Sequence, residues 1–114
     1  MSQNFQKNIM KEIVEKTVRN FLDIFILSAL AKTDFIGGYG ILTKINQEYG
    51  LLLSPGTVYN ALYKLEREGL IESQEMSKGR IYKITKKGKR CIELINRNRL
   101  IILRLAKRII LGSP

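Results

Sequence analysis

The 114-residue sequence contains no histidine, no tryptophan and a single cysteine. Without histidine it lacks the commonest general base and the commonest ligand of transition metals. One cysteine excludes a disulfide within the chain and any zinc or iron–sulfur site built from several cysteines. The sequence also has no phosphate-binding loop of the G-x-x-x-x-G-K type. We therefore expect no enzymatic activity, no metal site and no cofactor.

Long hydrophobic runs are also missing. The apolar stretch 21–31 has eleven residues and contains Asp23, whereas a membrane-spanning helix needs about twenty. The first twenty residues show no compact apolar core followed by a cleavage site of small residues. These absences predict a soluble cytoplasmic protein with no membrane segment, in which the thiol of Cys91 stays reduced as a buried, small apolar residue.

Acidic residues are scarce relative to basic ones, with 10 Asp and Glu against 20 Lys and Arg and a formal net charge of +10. Residues 1–53 carry six basic and five acidic residues, whereas residues 54–114 carry fourteen and five. The densest stretch, 78–90, has seven basic residues and no acidic one. Such an imbalance favours a polyanionic partner, nucleic acid or anionic lipid. Its confinement to one half argues against a role in solubility alone.

Apolar residues spaced by three and four predict two helices in the first half of the chain. One covers about 5–32, with a break or bend near 17–20, and the other covers about 39–48 and ends before Gly50.

The third helix has the clearest signals of its ends. Ser54 is a good N-cap and Pro55 a good first helical residue, and Gly69 is a C-terminal stop after a helix that ends at about residue 68. Val58, Ala61, Leu62 and Leu65 fall on one side and are predicted to enter the core.

Two strands, 71–76 and 80–85, flank the turn 77–79. A last helix is predicted from about residue 86 to 111, about 40 Å long if unbroken. The chain is thus mostly α with a small β-hairpin, a winged helix-turn-helix with long terminal helices. We divide it into an N-terminal helical extension, 1–20, a winged-helix DNA-binding domain, 21–85, and a C-terminal dimerisation helix, 86–114.

The outer side of the third helix is polar at its start and basic later, as suits a helix whose first turns enter the major groove of double-stranded DNA. Asn60 can pair with adenine, and Lys64 can reach a guanine edge or a phosphate. Cations of the hairpin can neutralise phosphates, while Glu72 and Glu75 of its first strand are expected to pair with Lys83. The predicted DNA contacts are Ser54, Gly56, Thr57, Tyr59, Asn60, Tyr63, Lys64, Arg67, Lys78 and Arg80. The same polar face also fits the solvent side of any amphipathic helix.

Four segments resemble the PadR family of transcriptional regulators: 26–30 (ILSAL), 38–40 (GYG), 53–73 (LSPGTVYNALYKLEREGLIES) and 82–88 (YKITKKG). The resemblance covers about 21–94. It implies that the chain is a winged-helix repressor that binds a palindromic operator as a dimer, and some members of the family respond to phenolic acids or hydrophobic drugs. It places Tyr59 near the DNA backbone. The sequence departs from the family at Gly38, where a histidine is usual, and in a shorter wing.

An apolar stripe along the last helix predicts a homodimer interface. It comprises Cys91, Leu94, Ile95, Asn98, Ile101, Ile102, Leu105 and Ile109. Asn98 either fixes the register between partner helices or marks a bend. A pocket for a small hydrophobic or aromatic effector is predicted between the N-terminal and last helices, near Phe21, Phe25 and Phe35.

Two other functions remain open from the sequence. Charge and helix pattern alone permit a nucleoid-packing protein that binds DNA without sequence preference, and operator binding compared with random-DNA binding separates the two. The basic, apolar tail 100–111 is also compatible with a membrane-surface role, although its apolar residues fit a partner helix at least as well.

Overall fold

A computed structural model of the chain describes residues 3–112. Over these residues the chain forms six helices and three short strands, which confirms the mostly helical winged-helix prediction. In chain order they are α1 (Gln3–Asn20), α2 (Leu22–Ala31), β1 (Ile36–Gly37), α3 (Gly38–Tyr49), α4 (Pro55–Arg67), β2 (Ile71–Met76), β3 (Gly79–Ile84), α5 (Lys86–Arg97) and α6 (Arg99–Leu111).

The long N-terminal helix is broken at Phe21, one residue beyond the range predicted for a bend. Backbone hydrogen bonds still cross the junction, from Phe21 N to Thr17 O at 3.1 Å and from Phe25 N to Phe21 O at 2.9 Å. The Thr17 hydroxyl also donates to Ile13 O at 2.8 Å, a contact that often bends a helix. The chain therefore passes from α1 to α2 without losing its helical bonding.

The core lies where α2, α3, α4 and the sheet meet. Apolar side chains with no more than a few per cent of their surface exposed fill it. Burying such side chains stabilises the fold by about 25 cal/mol for each Å² of apolar area removed from water. They are Leu22, Ile26, Leu27, Leu30, Ile41, Ile45, Val58, Leu62, Leu65 and Ile71. In α1, by contrast, Val18 is the single buried side chain among the described residues.

Both ends of α4 are fixed as predicted. The Ser54 hydroxyl accepts a hydrogen bond from Thr57 N, and Pro55 is the first helical residue. At the other end Gly69 takes a left-handed φ of 75°, Gly69 N donates to Glu66 O and Leu70 N donates to Leu65 O, each at 3.0 Å. This pair of bonds is a Schellman motif.

The sheet has a third strand that the sequence did not predict. Its order is β1-β3-β2, all antiparallel, and Ile36 of β1 faces Tyr82 of β3. Two residues are too few to show an alternating pattern. The hairpin itself is confirmed, with β3 shifted one residue toward the N-terminus and Met76 opposite Gly79 across the turn.

The start of α5 is tied to the end of α4 through three successive carbonyls. The ammonium group of Lys87 donates to Glu68 O at 2.8 Å. The hydroxyl of Thr85 donates to Gly69 O at 2.7 Å, and Thr85 N donates to Leu70 O at 3.1 Å. Carbonyls at a helix end otherwise lack intrahelical partners, so these bonds fix α4 relative to α5.

The last helix predicted over 86–111 is divided into α5 and α6 at Asn98, in agreement with the second of the two roles considered for that residue. The Asn98 side chain donates to Leu94 O at 2.8 Å, and asparagine disfavours helix interiors because its side chain competes for backbone bonds. Among the described residues α6 has no buried side chain. No helix within 3–112 is long and apolar enough to cross a membrane.

Candidate nucleic-acid interface

Helix α4 has one buried side and one exposed side, as predicted. Val58, Leu62 and Leu65 are buried. Around the helix, Gly56, Asn60, Tyr63 and Arg67 are exposed. A helix held by one fully packed side presents the other as a rigid surface, which is what insertion into a groove requires.

The first turn of α4 uses two of the predicted DNA contacts for its own cap. The hydroxyls of Ser54 and Thr57 lie 2.8 Å apart, within hydrogen-bond distance. Thr57 N donates to the Ser54 hydroxyl at 3.2 Å. This bond helps satisfy the free N–H groups of the first turn. These hydroxyls therefore shape the helix start, and Asn60, in the next turn, is exposed.

Tyr59 rests on Gly38, a contact that sequence reasoning missed. Gly38 is buried at the start of α3. A Cβ atom built there would lie 2.6 Å from two ring carbons of Tyr59 and 2.7 Å from its hydroxyl oxygen. The glycine therefore leaves the space that the tyrosine ring occupies. The departure from the family's histidine was the signal that pointed to this position.

Replacing Gly38 with alanine is expected to push the Tyr59 ring aside and destabilise the protein by about 1–2 kcal/mol, because added volume in a close-packed site forces neighbours to move. Urea denaturation followed by circular dichroism measures the change. In the Tyr59→Ala background the same substitution should cost far less, since the obstructing ring is gone. An equal cost in both backgrounds would show that the ring does not cause the effect.

Lys64 is paired within the protein. Its ammonium group lies 3.2 Å from Oδ2 of Asp23 on α2. The side chains keep 57% and 38% of their surface exposed, respectively. Lys64 is thus accessible to solvent but already has a carboxylate partner.

Arg80 of the wing is held on the side of the sheet that faces α4. It donates to Glu75 Oε2 at 3.0 Å and to the Ser73 hydroxyl at 2.8 Å. That hydroxyl in turn donates to Glu66 of α4. The pairing of Glu75 with Lys83 expected from the sequence was wrong, because directly opposed residues share one face of a sheet and Glu75 is opposite Arg80.

Lys78 differs from Arg80. It lies in the two-residue turn of the hairpin, is exposed, and has no ion pair or hydrogen bond within the described part of the chain. The following Gly79 has a φ of 117°, a conformation that strongly favours glycine. Lys78 is therefore the free cation of the wing tip.

A cavity of about 240 Å³ lies between α4 and the wing. Its lining residues are Tyr59, Tyr63, Glu66, Arg80 and Tyr82. Burial raises the pKa of the Tyr82 phenol above its usual value, and the nearby Arg80 acts in the opposite direction. Tyr82 is therefore a neutral phenol at physiological pH and adds no negative charge to this cavity.

The family model of PadR-like transcriptional regulators matches residues 26–94, which include α3, α4 and the wing. The chain belongs to this family. The match begins within α2 and ends within α5.

Several known proteins are similar to this PadR-like chain. The transcriptional activator GvpE of Haloferax mediterranei is 34% identical over 79 residues, which are 69% of this chain and 41% of that protein. A PadR family regulator from Clostridium difficile is 30% identical with a TM-score of 0.65, covering 79% of this chain and 98% of the other. The chain spans about two fifths of the length of its curated relatives.

Bacillus subtilis PadR has been solved in complex with operator DNA. It is 28% identical to this chain, with a TM-score of 0.57 over 63% of this chain and 44% of that one.

The residues predicted for a dimer interface divide into two groups in this PadR-like fold. Cys91 and Ile95 of α5 are half-buried and pack against the core. Leu94 is exposed, and Asn98 lies at the break between α5 and α6. On α6, Ile101, Leu105 and Ile109 are exposed and Ile102 is half-buried. The apolar surface open to a partner is therefore mainly that of α6.

The predicted effector pocket is only partly assembled. Phe21 and Phe25 line a cavity of about 380 Å³ between α2 and α3, together with Tyr49. Phe35 is exposed and does not line this cavity. The structure thus brings two of the three phenylalanines together, and it does so against α3 and not between the N-terminal and last helices.

Proposed function

We propose that the chain is a sequence-specific transcriptional regulator that binds a palindromic operator as a homodimer, with α4 in the major groove and the wing on the DNA backbone. The observation that carries this proposal is that α4 is buried on one side and exposed on the other. Its inner side is fully packed, and its outer side exposes Asn60. The B. subtilis relative in complex with operator DNA supports it.

Each part of the interface has a distinct role in this proposal. The amide of Asn60 reads adenine through two hydrogen bonds, which is base recognition. Lys78 at the wing tip neutralises a phosphate, which positions the protein but carries little sequence information. Gly56 and the cap formed by Ser54 and Thr57 let the start of α4 approach the backbone closely.

A second copy of the chain completes the binding unit. Exposed apolar residues lie along both α6 and α1, among them Ile9, Met10 and Ile13, and contiguous apolar surface of this kind marks a site of contact with a partner. Covering them in a symmetric dimer would place two α4 helices about 34 Å apart, or near a multiple of that distance, to meet successive major grooves.

Selection of bound oligonucleotides from a random pool tests the proposal, and the selected duplexes should contain an inverted repeat. Asn60→Ala should weaken binding to the selected duplex by about 1–3 kcal/mol and relax the preference at one base pair. Lys78→Ala should weaken selected and random duplexes alike and reduce the slope of log affinity against log salt by about 0.9. Titrations over a salt series measure both effects.

Two results would overturn this assignment. If Lys78→Ala changed the sequence preference and Asn60→Ala did not, the roles of helix and wing would be reversed. If selection produced no consensus and the chain bound selected and random DNA equally, the nucleoid-packing function would replace the proposed one.

We propose further that the bound dimer represses transcription by covering its operator. The relatives from Haloferax and Halobacterium are activators, so the sign of regulation needs its own test. A reporter carrying the selected operator should lose expression when the chain is produced, whereas increased expression would make it an activator.

A small hydrophobic or aromatic effector is proposed to bind the cavity lined by Phe21 and Phe25. The aromatic side chains supply an apolar surface, and Lys32, Lys44 and Glu48 supply charged groups to the same lining. Aromatic compounds should then shift the affinity for the selected duplex. Unchanged affinity across such compounds would remove the effector from the proposal.

A further inference from the structure

Two basic residues of the proposed interface are each held by a carboxylate from within the protein. Lys64 of α4 pairs with Asp23 of α2 at 3.2 Å. Arg80 of the wing pairs with Glu75 of the neighbouring strand at 3.0 Å. The acidic partners come from outside α4, so the fold itself brings the opposite charges together.

Both pairs remain accessible to a competing anion. In the second pair, 45% of Arg80 and 73% of Glu75 are exposed. Exposed ion pairs contribute little to stability because water and salt screen them. A DNA phosphate at the same site offers each cation an alternative partner, at the cost of leaving the carboxylate near the polyanion.

We propose that Asp23 and Glu75 compete with DNA phosphates for Lys64 and Arg80, so that both cations stay in internal ion pairs on loosely bound DNA and are released only where α4 is closely seated. The inference rests on the proposed function. Random DNA is bound almost entirely through phosphates, and a loosely seated helix leaves the internal pairs intact. On the operator, base contacts by Asn60 seat α4 closely enough for phosphates to replace both carboxylates.

The test compares Asp23→Asn and Glu75→Gln with the wild-type chain on a random duplex and on the selected operator. Each substitution frees one cation, so on random DNA the slope of log affinity against log salt should become steeper by about 0.9. This change corresponds to about an eightfold gain in affinity at 0.1 M salt. On the operator the salt slope should change far less, because there Lys64 and Arg80 already contact phosphates. The affinity for the operator should rise at least as much as that for random DNA, because the ion pair no longer has to break.

Glu72→Gln is the matched control. Glu72 lies on β2 three residues before Glu75, is exposed, and has no ion pair within the described residues. It is opposite Lys83 in the hairpin, on the other face of the sheet. The substitution makes the same change in net charge without freeing Arg80, so random-DNA affinity should rise by about twofold or less.

A double variant identifies the group that acts. Asp23→Asn combined with Lys64→Gln should bind random DNA no better than the wild-type chain, since the freed cation is removed. Circular dichroism melts should show that every variant is folded, because only exposed groups are changed.

The outcomes separate the inference from the function on which it rests. Equal gains for Glu72→Gln and Glu75→Gln, or equal changes of the salt slope on random and operator DNA, would overturn the inference and leave the proposed function standing. If the wild-type chain bound no duplex, the proposed function would fail and the inference with it.

Discussion

Replacing Gly88 with alanine is expected to destabilise the fold by about 3 kcal/mol or more, because the added methyl group has no space and the atoms around it are backbone. A Cβ atom at Gly88 would lie 2.1 Å from Leu70 O and 2.7 Å from a side-chain carbon of Ile84. The Leu70 carbonyl is held in place by the hydrogen bond from Thr85 N. Relief of the clash would pull α5 away from the end of α4 and break that bond.

Gly56→Ala is the matched control for this substitution. It also adds one methyl group to a helical glycine, but the nearest atom to the new Cβ is the Ser54 hydroxyl oxygen at 3.9 Å. Because alanine favours helix more than glycine does, stability should be unchanged or rise by up to about 1 kcal/mol. Urea unfolding curves give both values. A Gly88→Ala protein as stable as the wild type would show that α5 can shift without cost.

The elements that sequence reasoning placed correctly are those whose signals are local. Ser54, Pro55 and Gly69 mark the ends of α4 because capping and left-handed backbone depend on residues a few positions apart. The buried and exposed sides of α4 follow from helical spacing in the same way. This is why the face proposed to meet DNA could be predicted before the fold was known.

The features that sequence reasoning missed depend on residues distant along the chain. Lys64 and Asp23 are 41 positions apart, and only the packing of α4 on α2 brings them together. The two residues of β1 are a strand because β3 pairs with them. The break at Asn98 has a local cause. The sequence left two roles open for this residue, fixing the register between partner helices or marking a bend, and the competition of its side chain for backbone hydrogen bonds breaks the helix there.

Leu105→Glu is expected to convert the proposed dimer to a monomer and lower operator affinity more than about 100-fold, because two half-sites then bind without the gain in effective concentration that linkage provides. Leu105 is 51% exposed on α6, and α6 contributes no buried side chain among the described residues. A carboxylate there should therefore leave the monomer folded while placing an unpaired charge in the proposed interface, where desolvation is costly.

Leu100→Glu provides the control on the same helix. Leu100 is 59% exposed and lies five positions earlier, which is about 140° around an α-helix. That side of α6 carries Arg104 and Lys107, so the new carboxylate has basic neighbours and stays outside the apolar stripe. Sedimentation equilibrium should show a dimer for Leu100→Glu and a monomer for Leu105→Glu, with circular dichroism unchanged in both. A dimeric Leu105→Glu protein that still bound the operator tightly would mean that another surface, such as that of α1, holds the two copies together.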